Sequence, residues 1–248
     1  MACPPIRQIL STLLLLSALI SGQTAHAGTA LPLYDAEYRT KVSGIRITLT
    51  RSLTEEQGHY HLQQSGKAFL VKLKEESHFT VDGDQIIGDH FSYQLSGVTK
   101  RQREVHYDSS AGIIRSLRKK TWTEHPWSAD VLDRLSQQEQ MRLLLIRAEA
   151  PPERMALKVV DGPNIKLKRF ELVEQATLDT LAGTLRTVQY RLLHDDPEER
   201  SSDTWLAIDH SFLMVRTEHE ERGSKTVVEI SQAVIDGRPL SADVASKN

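Results

Sequence analysis

Residues 34–50 read YDAEYRTKVSGIRITLT, and their rhythm decides the fold. Tyr34, Ala36, Tyr38, Thr40 and Val42 fall on one side of an extended chain, with Asp35, Glu37, Arg39, Lys41 and Ser43 on the other. Successive side chains of a β-strand point to opposite faces, so this pattern predicts a strand with one apolar and one wet side. Gly44 interrupts the run, and the alternation resumes with Ile45, Ile47 and Leu49 set against Arg46, Thr48 and Thr50. Two half-buried strands joined this tightly predict an antiparallel pair, because parallel strands are covered on both faces and read as continuous apolar runs.

The same period spreads outward. Tyr60 and Leu62 alternate with His59, His61 and Gln63; Phe79 and Val81, then Phe91, Tyr93 and Leu95, then Val105 and Tyr107 repeat the pattern. Asp82-Gly83 lies between two such runs and predicts a hairpin turn. Further strands are predicted over 156–160, 165–178, 185–193, 205–208, 213–221 and 226–234, with turns at Asp161-Gly162, Ala182-Gly183 and Asp236-Gly237. HDDPEE at 194–199 reads as an acidic loop.

One segment breaks the rhythm. SADVLDRLSQQEQMRLLLIRAE, residues 128–149, is rich in helix formers and free of Gly and Pro. It predicts a helix with Ser128 as N-cap, Asp130 in its first turn and a stop at Pro151-Pro152. Leu132, Leu135, Leu143 and Ile146 form an apolar stripe interrupted by Glu139, which either snorkels at the sheet edge or pairs with an arginine of the barrel. Met141, Leu143, Leu144, Leu145 and Ile146 make one end apolar nearly all round. About a dozen strands and one helix predict a mainly β protein: a strongly curved antiparallel sheet, or unclosed β-barrel, with one central α-helix packed on its concave side.

The first 27 residues read as an export signal: Arg7, an apolar run over residues 9–20, then Ala25-His26-Ala27 as a small-x-small cleavage site. Cys3 precedes the apolar run and so cannot be a lipoprotein's acylated cysteine. Removing 27 of the 248 residues leaves 221, without cysteine, with 30 basic against 33 acidic side chains. A periplasmic, disulfide-free, soluble domain over 28–238 is expected, followed by a flexible tail over 239–248. The balanced charge gives no global pull toward nucleic acid, and no second long apolar run predicts a membrane span.

Two stretches carry a resemblance. YDAEYRTKVSGIRITL, with the later VHYDSSAGII, resembles the first half of a bacterial exported family catalogued as domain of unknown function 3108. AGTLRTVQYRLLHDDPEERSSDTWLAIDHSFLMVRTEHEERGSKTVVEI resembles its second half, so that the likeness spans roughly residues 33–235. Met214-Val215 departs from the Pro-Val pair often found there, a proline that would shape an edge strand. These motifs are turn glycines and strand aromatics, so they imply a fold more than a function. At fold level the expected barrel is similar to periplasmic lipoprotein carriers and their receptors.

Candidate chemistry is sparse. His59 and His61 share a face, and His78 and His106 would join them if their strands are neighbours. His59 and His61 lie opposite Tyr60 and Leu62, and His78 opposite Phe79, so a solvated face and no metal site are expected. No cofactor motif and no G-x-S-x-G elbow occurs, and Ser109-Ser110 reads as a turn. The carboxylates Asp195, Asp196, Glu198 and Glu199 sit in a polar loop. Lys100, Arg101, Arg103, Arg118, Lys119 and Lys120 flank successive strands and could meet an anionic partner. The leading expectation is a non-enzymatic binding or carrier-like protein, with an apolar groove for lipid, acyl chain or hydrophobic peptide along Leu132, Leu135, Glu139, Leu143 and Ile146. The alternative is an envelope structural protein that docks a protein or glycan through its basic strands. An envelope hydrolase stands third, because no nucleophile is located.

Overall fold

The computed structural model describes residues 30–42, 44–97 and 100–240. The opening strand pair forms as β1 (Tyr34–Val42) and β2 (Ile45–Glu56), antiparallel, with Tyr34 opposite Leu53 and Val42 opposite Ile45. Tyr34, Ala36 and Tyr38 are buried, as their alternation requires. The meander continues through β3 (His59–Ala68), β4 (Val71–Asp82), β5 (Gln85–Ser96), β6 (Arg101–Asp108), β7 (Ile113–Arg118) and β8 (Thr121–Pro126). The chain then crosses over through β9 (Val131–Leu132) and the helix α1 (Ser136–Arg147). A second meander runs through β10 (Arg154–Asp161), β11 (Asn164–Thr180), β12 (Gly183–Leu192), β13 (Arg200–Ala207), β14 (Leu213–Glu221) and β15 (Ser224–Ile235). The short β16 (Arg238–Pro239) folds back onto β15.

β15 pairs with β1, Tyr34 opposite Ile235, and this joins both meanders into one sheet of sixteen strands among the described residues. β8 lies at one end of the sheet and β9 at the other. Every pairing is antiparallel except the two-residue contact of β9 with β10. The architecture is therefore mainly β, an unclosed barrel with α1 against its concave side. Strands beyond the expected dozen include β8, β9 and β16, which are short and carry little alternation. Tyr38, Leu62, Phe79, Phe91, Tyr190 and Ile230 anchor a continuous core that includes Leu143 of the helix.

Three expectations need correction. The helix begins at Ser136, eight residues after the predicted cap, because Asp133 competes for that role. The Asp133 carboxylate accepts the Leu135 and Ser136 N–H groups at 2.7 and 2.8 Å, while Ser136 Oγ accepts the Asp133 N–H at 3.1 Å. This reciprocal box fixes the first turn and leaves Val131-Leu132 free to pair with β10. Ser128 bonds Asp130 instead. The predicted tail also begins too early: the Leu240 N–H donates to Ala233 at 2.8 Å, and Leu240 packs on the core. Finally, Met214-Val215 lies in β14, between β13 and β15, at a register shift opposite Trp205 and Leu206 rather than on an edge. A proline at such a bulge would be tolerated for the same reason as on an edge, since ladder bonding is locally broken. The predicted signal segment and residues 241–248 lie outside the described residues.

Candidate functional site

The face that α1 turns to the barrel interior is charged. Arg142 is the largest fully buried side chain among the described residues, and Glu139 is buried beside it. Glu139 accepts from Tyr34 Oη at 2.7 Å, from Arg51 Nη2 at 3.1 Å and from Arg142 Nη1 at 3.1 Å. Of the two fates expected for Glu139, pairing with a barrel arginine is the one realised. Arg51 also donates to Tyr34 Oη at 2.8 Å and to Gln138. Arg142 donates to the carbonyls of Ser211 and Pro32, both at 2.8 Å, and its guanidinium lies 5.0 Å from the Tyr34 ring centroid. Two guanidiniums thus share one carboxylate. Burial pushes the Tyr34 and Tyr38 hydroxyls well up, so both stay neutral donors. Burial alone would push the Glu139 carboxyl up, but Arg142, Arg51 and the Tyr34 hydrogen bond together hold it below its ordinary range.

This network decides what becomes of the expected groove. Leu132, Leu135 and Leu143 are fully buried core residues, Ile146 is half-buried, and Glu139 is committed to its arginines. Two surface cavities open elsewhere, and a small one of about 10 Å³ at the barrel seam touches residues 131–147 only through Arg134. One of about 610 Å³ lies over the outer side of β1, β2 and β15, and one of about 390 Å³ lies beside β10 and β11. Neither is lined by residues 131–147.

The open seam of the barrel is a better candidate. Asp161, at the tip of the β10–β11 hairpin, accepts from Arg103 Nη1 at 2.7 Å and from Arg118 Nη1 at 3.0 Å. The next residue continues the latch: the Gly162 N–H donates to Ser116 Oγ at 3.0 Å, and its carbonyl meets His125 Nε2 at 2.9 Å. Gly162 has φ +60°, and a Cβ there would fall 2.6 Å from the Arg118 side chain. The predicted Asp-Gly turn therefore also fastens the two halves across the gap. Asp161→Ala is expected to cost about 1 kcal/mol, since the pairs are partly solvated, and to speed amide hydrogen exchange selectively in β7 and β10.

Cations gather at this seam. Arg134 pairs with the buried Glu75 at 3.1 Å, and Arg134 and Arg103 flank the Tyr93 ring at 5.2 and 5.8 Å. Lys168, opposite Leu157 on the inner face of β11, has its pKa pushed down to about 8 by burial and then by the neighbouring charge of Arg134. Arg103 and Arg118 share Asp161, and Arg134 pairs with Glu75, beside which Asp133 is the further carboxylate. Lys168 has no ion-pair partner of its own among the described residues. Burial moreover raises the Glu75 carboxyl above its ordinary range. The cluster is short of negative charge.

The rim next to it extends this imbalance. Strand registers place the β1–β2, β3–β4, β5–β6 and β7–β8 connections at one end of the sheet. Lys41 sits opposite Arg46 there, and Lys67 opposite Lys72, all exposed. Like charges in directly opposed positions oppose pairing. Lys119 and Lys120 form a turn at φ +51° and +68°, a backbone region that disfavours side chains. The β3–β4 tip presents Phe69 at φ +49°, 84% exposed, followed by Leu70, 63% exposed. Val42 and Ile45 are also exposed at the neighbouring tip. Strained lysines beside bare apolar tips are a poor solution for stability alone, and such outliers point to function.

Of the basic residues singled out in the sequence, Lys100, Arg101, Lys119 and Lys120 are exposed at this rim, whereas Arg103 and Arg118 clamp Asp161. Sequence reasoning missed Lys67, Phe69, Leu70, Lys72, Arg134 and Lys168. The unalternated Lys-Ala-Phe-Leu-Val-Lys run was the available signal for the tip. Nothing local marked Arg134 or Lys168, whose neighbours come from other strands. Among the histidines, His61 and His78 face each other across β3 and β4, His106 joins the same row, and His59 lies off it.

A helix-plugged open barrel with a latched cationic seam defines a β-barrel-like domain, and comparison places it more closely. Residues 33–228 match the family described as Protein of unknown function (DUF3108), and the chain belongs to that family. It is similar in fold to the beta-barrel-like protein of domain of unknown function DUF1849 from Brucella abortus, at 10% identity over 83% of this chain and 98% of that one, with a TM-score of 0.54. A putative lipoprotein from Parabacteroides distasonis aligns at 8% identity over 81% of this chain and 94% of that one, with a TM-score of 0.29. No curated protein matches the chain. No helix among the described residues is long and apolar enough to cross a membrane.

Proposed function

We propose that this chain is an exported, non-enzymatic binding protein of the periplasm that captures an anionic amphiphile at the seam and rim of its barrel. The observation that carries the reading is the inward Lys168, which lies by Arg134 and Asp161 without an ion pair of its own among the described residues, while Asp161 is already shared by Arg103 and Arg118. An anionic head group supplies the missing charge, and the apolar tips at Phe69, Leu70, Val42 and Ile45 suit the hydrocarbon part. An acyl chain lodged along α1 would require the helix to lift and expose Glu139 and Arg142, so the hydrocarbon is assigned to the tips. The same exposed aromatic and aliphatic tips favour a lipid over a glycan as the partner of the basic strands.

Cosedimentation with phosphatidylglycerol-containing vesicles tests this, with pure phosphatidylcholine vesicles and a soluble short-chain phosphatidylglycerol as separate arms. Binding to the anionic vesicles that weakens with salt is expected. Reversal of Lys67, Lys72, Lys119 and Lys120 to Glu removes about 1 kcal/mol per lysine at a membrane surface, so more than about 100-fold of the affinity. Binding of the soluble lipid alone would identify a carrier rather than a docking surface. Equal partition onto neutral and anionic vesicles, or none onto either lipid form, would sink the reading.

A further inference from the structure

The outer face of the sheet carries a row of histidines that the rim and seam do not use. His61, His78, His90 and His106 occupy directly opposed positions on β3, β4, β5 and β6. The His61 and His78 rings stack at 4.3 Å between centroids, and those of His90 and His106 lie at 4.7 Å. A bulge makes the row possible. His78 faces His90 but Phe79 faces Gly88, so Asp89 is an extra residue in β5. Ile86 points inward, and without the extra residue strict alternation would send His90 inward too. The bulge turns it outward in line with its neighbours and keeps Phe91 in the core.

We propose that His90, Glu104 and His106 form a binding site for a divalent transition metal ion of the zinc class. Each offers one ligand atom, and all three atoms lie within 4.8 Å of one another. His106 Nε2 is 3.2 Å from Glu104 Oε2. Ligands about 2.0–2.1 Å from a tetrahedral zinc ion lie roughly 3.3 Å apart, so this edge is already the right length. His90 closes by a small rotation of its ring. Two imidazoles and one carboxylate are a donor set that borderline ions accept and calcium or magnesium does not favour. The fourth position faces solvent, and His78 stands next in the row, its ring 6.2 Å from that of His90. Trp122, 5.4 Å from His106, borders the far side.

Calorimetric titration of chelator-treated protein with Zn²⁺ tests the site. One tight zinc per chain is expected, with affinity falling as pH drops below the imidazole range. His90→Gln, Glu104→Gln and His106→Gln should each weaken it by about 10-fold or more. His59→Gln and His61→Gln should leave it within about twofold. All these side chains lie on the outer face, and unchanged circular dichroism of each variant separates a lost ligand from a lost fold. Absence of saturable binding below about 100 μM zinc overturns the site. So does an affinity that survives His90→Gln and His106→Gln together, or one that disappears with His61→Gln instead.

Discussion

Glu139→Ala is expected to lose about 3–5 kcal/mol of stability, because it strands two buried guanidiniums without a counter-charge. Domains of this kind are held by a net of about 5–15 kcal/mol, so the variant should unfold at a much lower urea midpoint, if it accumulates at all. Arg51 and Arg142 are each almost wholly removed from water. Neither can relax outward. Glu139→Gln should fall between wild type and Ala, since an amide still accepts from Tyr34 Oη but carries no charge. Replacing the arginine too does not restore the balance in full. Arg142 also satisfies the carbonyls of Ser211 and Pro32, so Glu139→Ala with Arg142→Ala should leave those acceptors bare. Chemical denaturation of the three variants would check the ranking. A Glu139→Ala protein as stable as wild type would mean that the network contributes nothing net.

Lys168→Met should move stability the other way and remove function. Its ammonium has a pKa near 8 in the fold and about 10.4 in an unfolded chain. Between those values the unfolded state binds the extra proton, so wild-type stability rises as pH climbs from about 8 to about 10. Below pH 8 the charged form carries the full penalty. Allowing for its partial exposure, relief of that penalty is worth about 1–2 kcal/mol at neutral pH. Lys168→Met should therefore raise the melting temperature at pH 7, flatten the pH dependence between 8 and 10, and weaken anionic lipid binding about 10-fold. A variant that melts lower, or keeps its rise with pH, would show that Lys168 is not the strained cation of the seam.

The parts of the fold written in local rhythm were legible. Tyr34, Ala36 and Tyr38 on one side and Asp35 and Glu37 on the other needed only the pleat of a strand, and they lie where the alternation places them. The helix was legible as a break in that rhythm, but its first residue was not. Ser128 and Asp133 both have capping chemistry, and Asp133 prevails through Ser136 and through Ser77 on β4, whose Oγ donates to it at 2.7 Å. Glu139 was visible as an anomaly in an apolar stripe. Its partner Arg51 was not, because the two meet only once the sheet has curled. Of the histidine row, His61, His78 and His106 were in view as possible neighbours, but His90 escaped for a related reason. The bulge at Asp89 that turns it outward is a property of pairing, and single-strand parity does not contain it. At the seam, Asp161-Gly162 showed its turn but not its grip on Arg103 and Arg118, which come from the other meander.

The pairing of β1 with β15 has a consequence for how the chain reaches this state. Tyr34 waits for Ile235, the last residue of the last long strand, so the ladder that unites the halves forms only after almost the whole polypeptide is available. Such distant partners make folding slow and leave an early strand with a bare margin in the meantime. A nascent chain would hold the first eight strands as an unfinished half-shell, open to capture by chaperones or to self-association until β15 arrives.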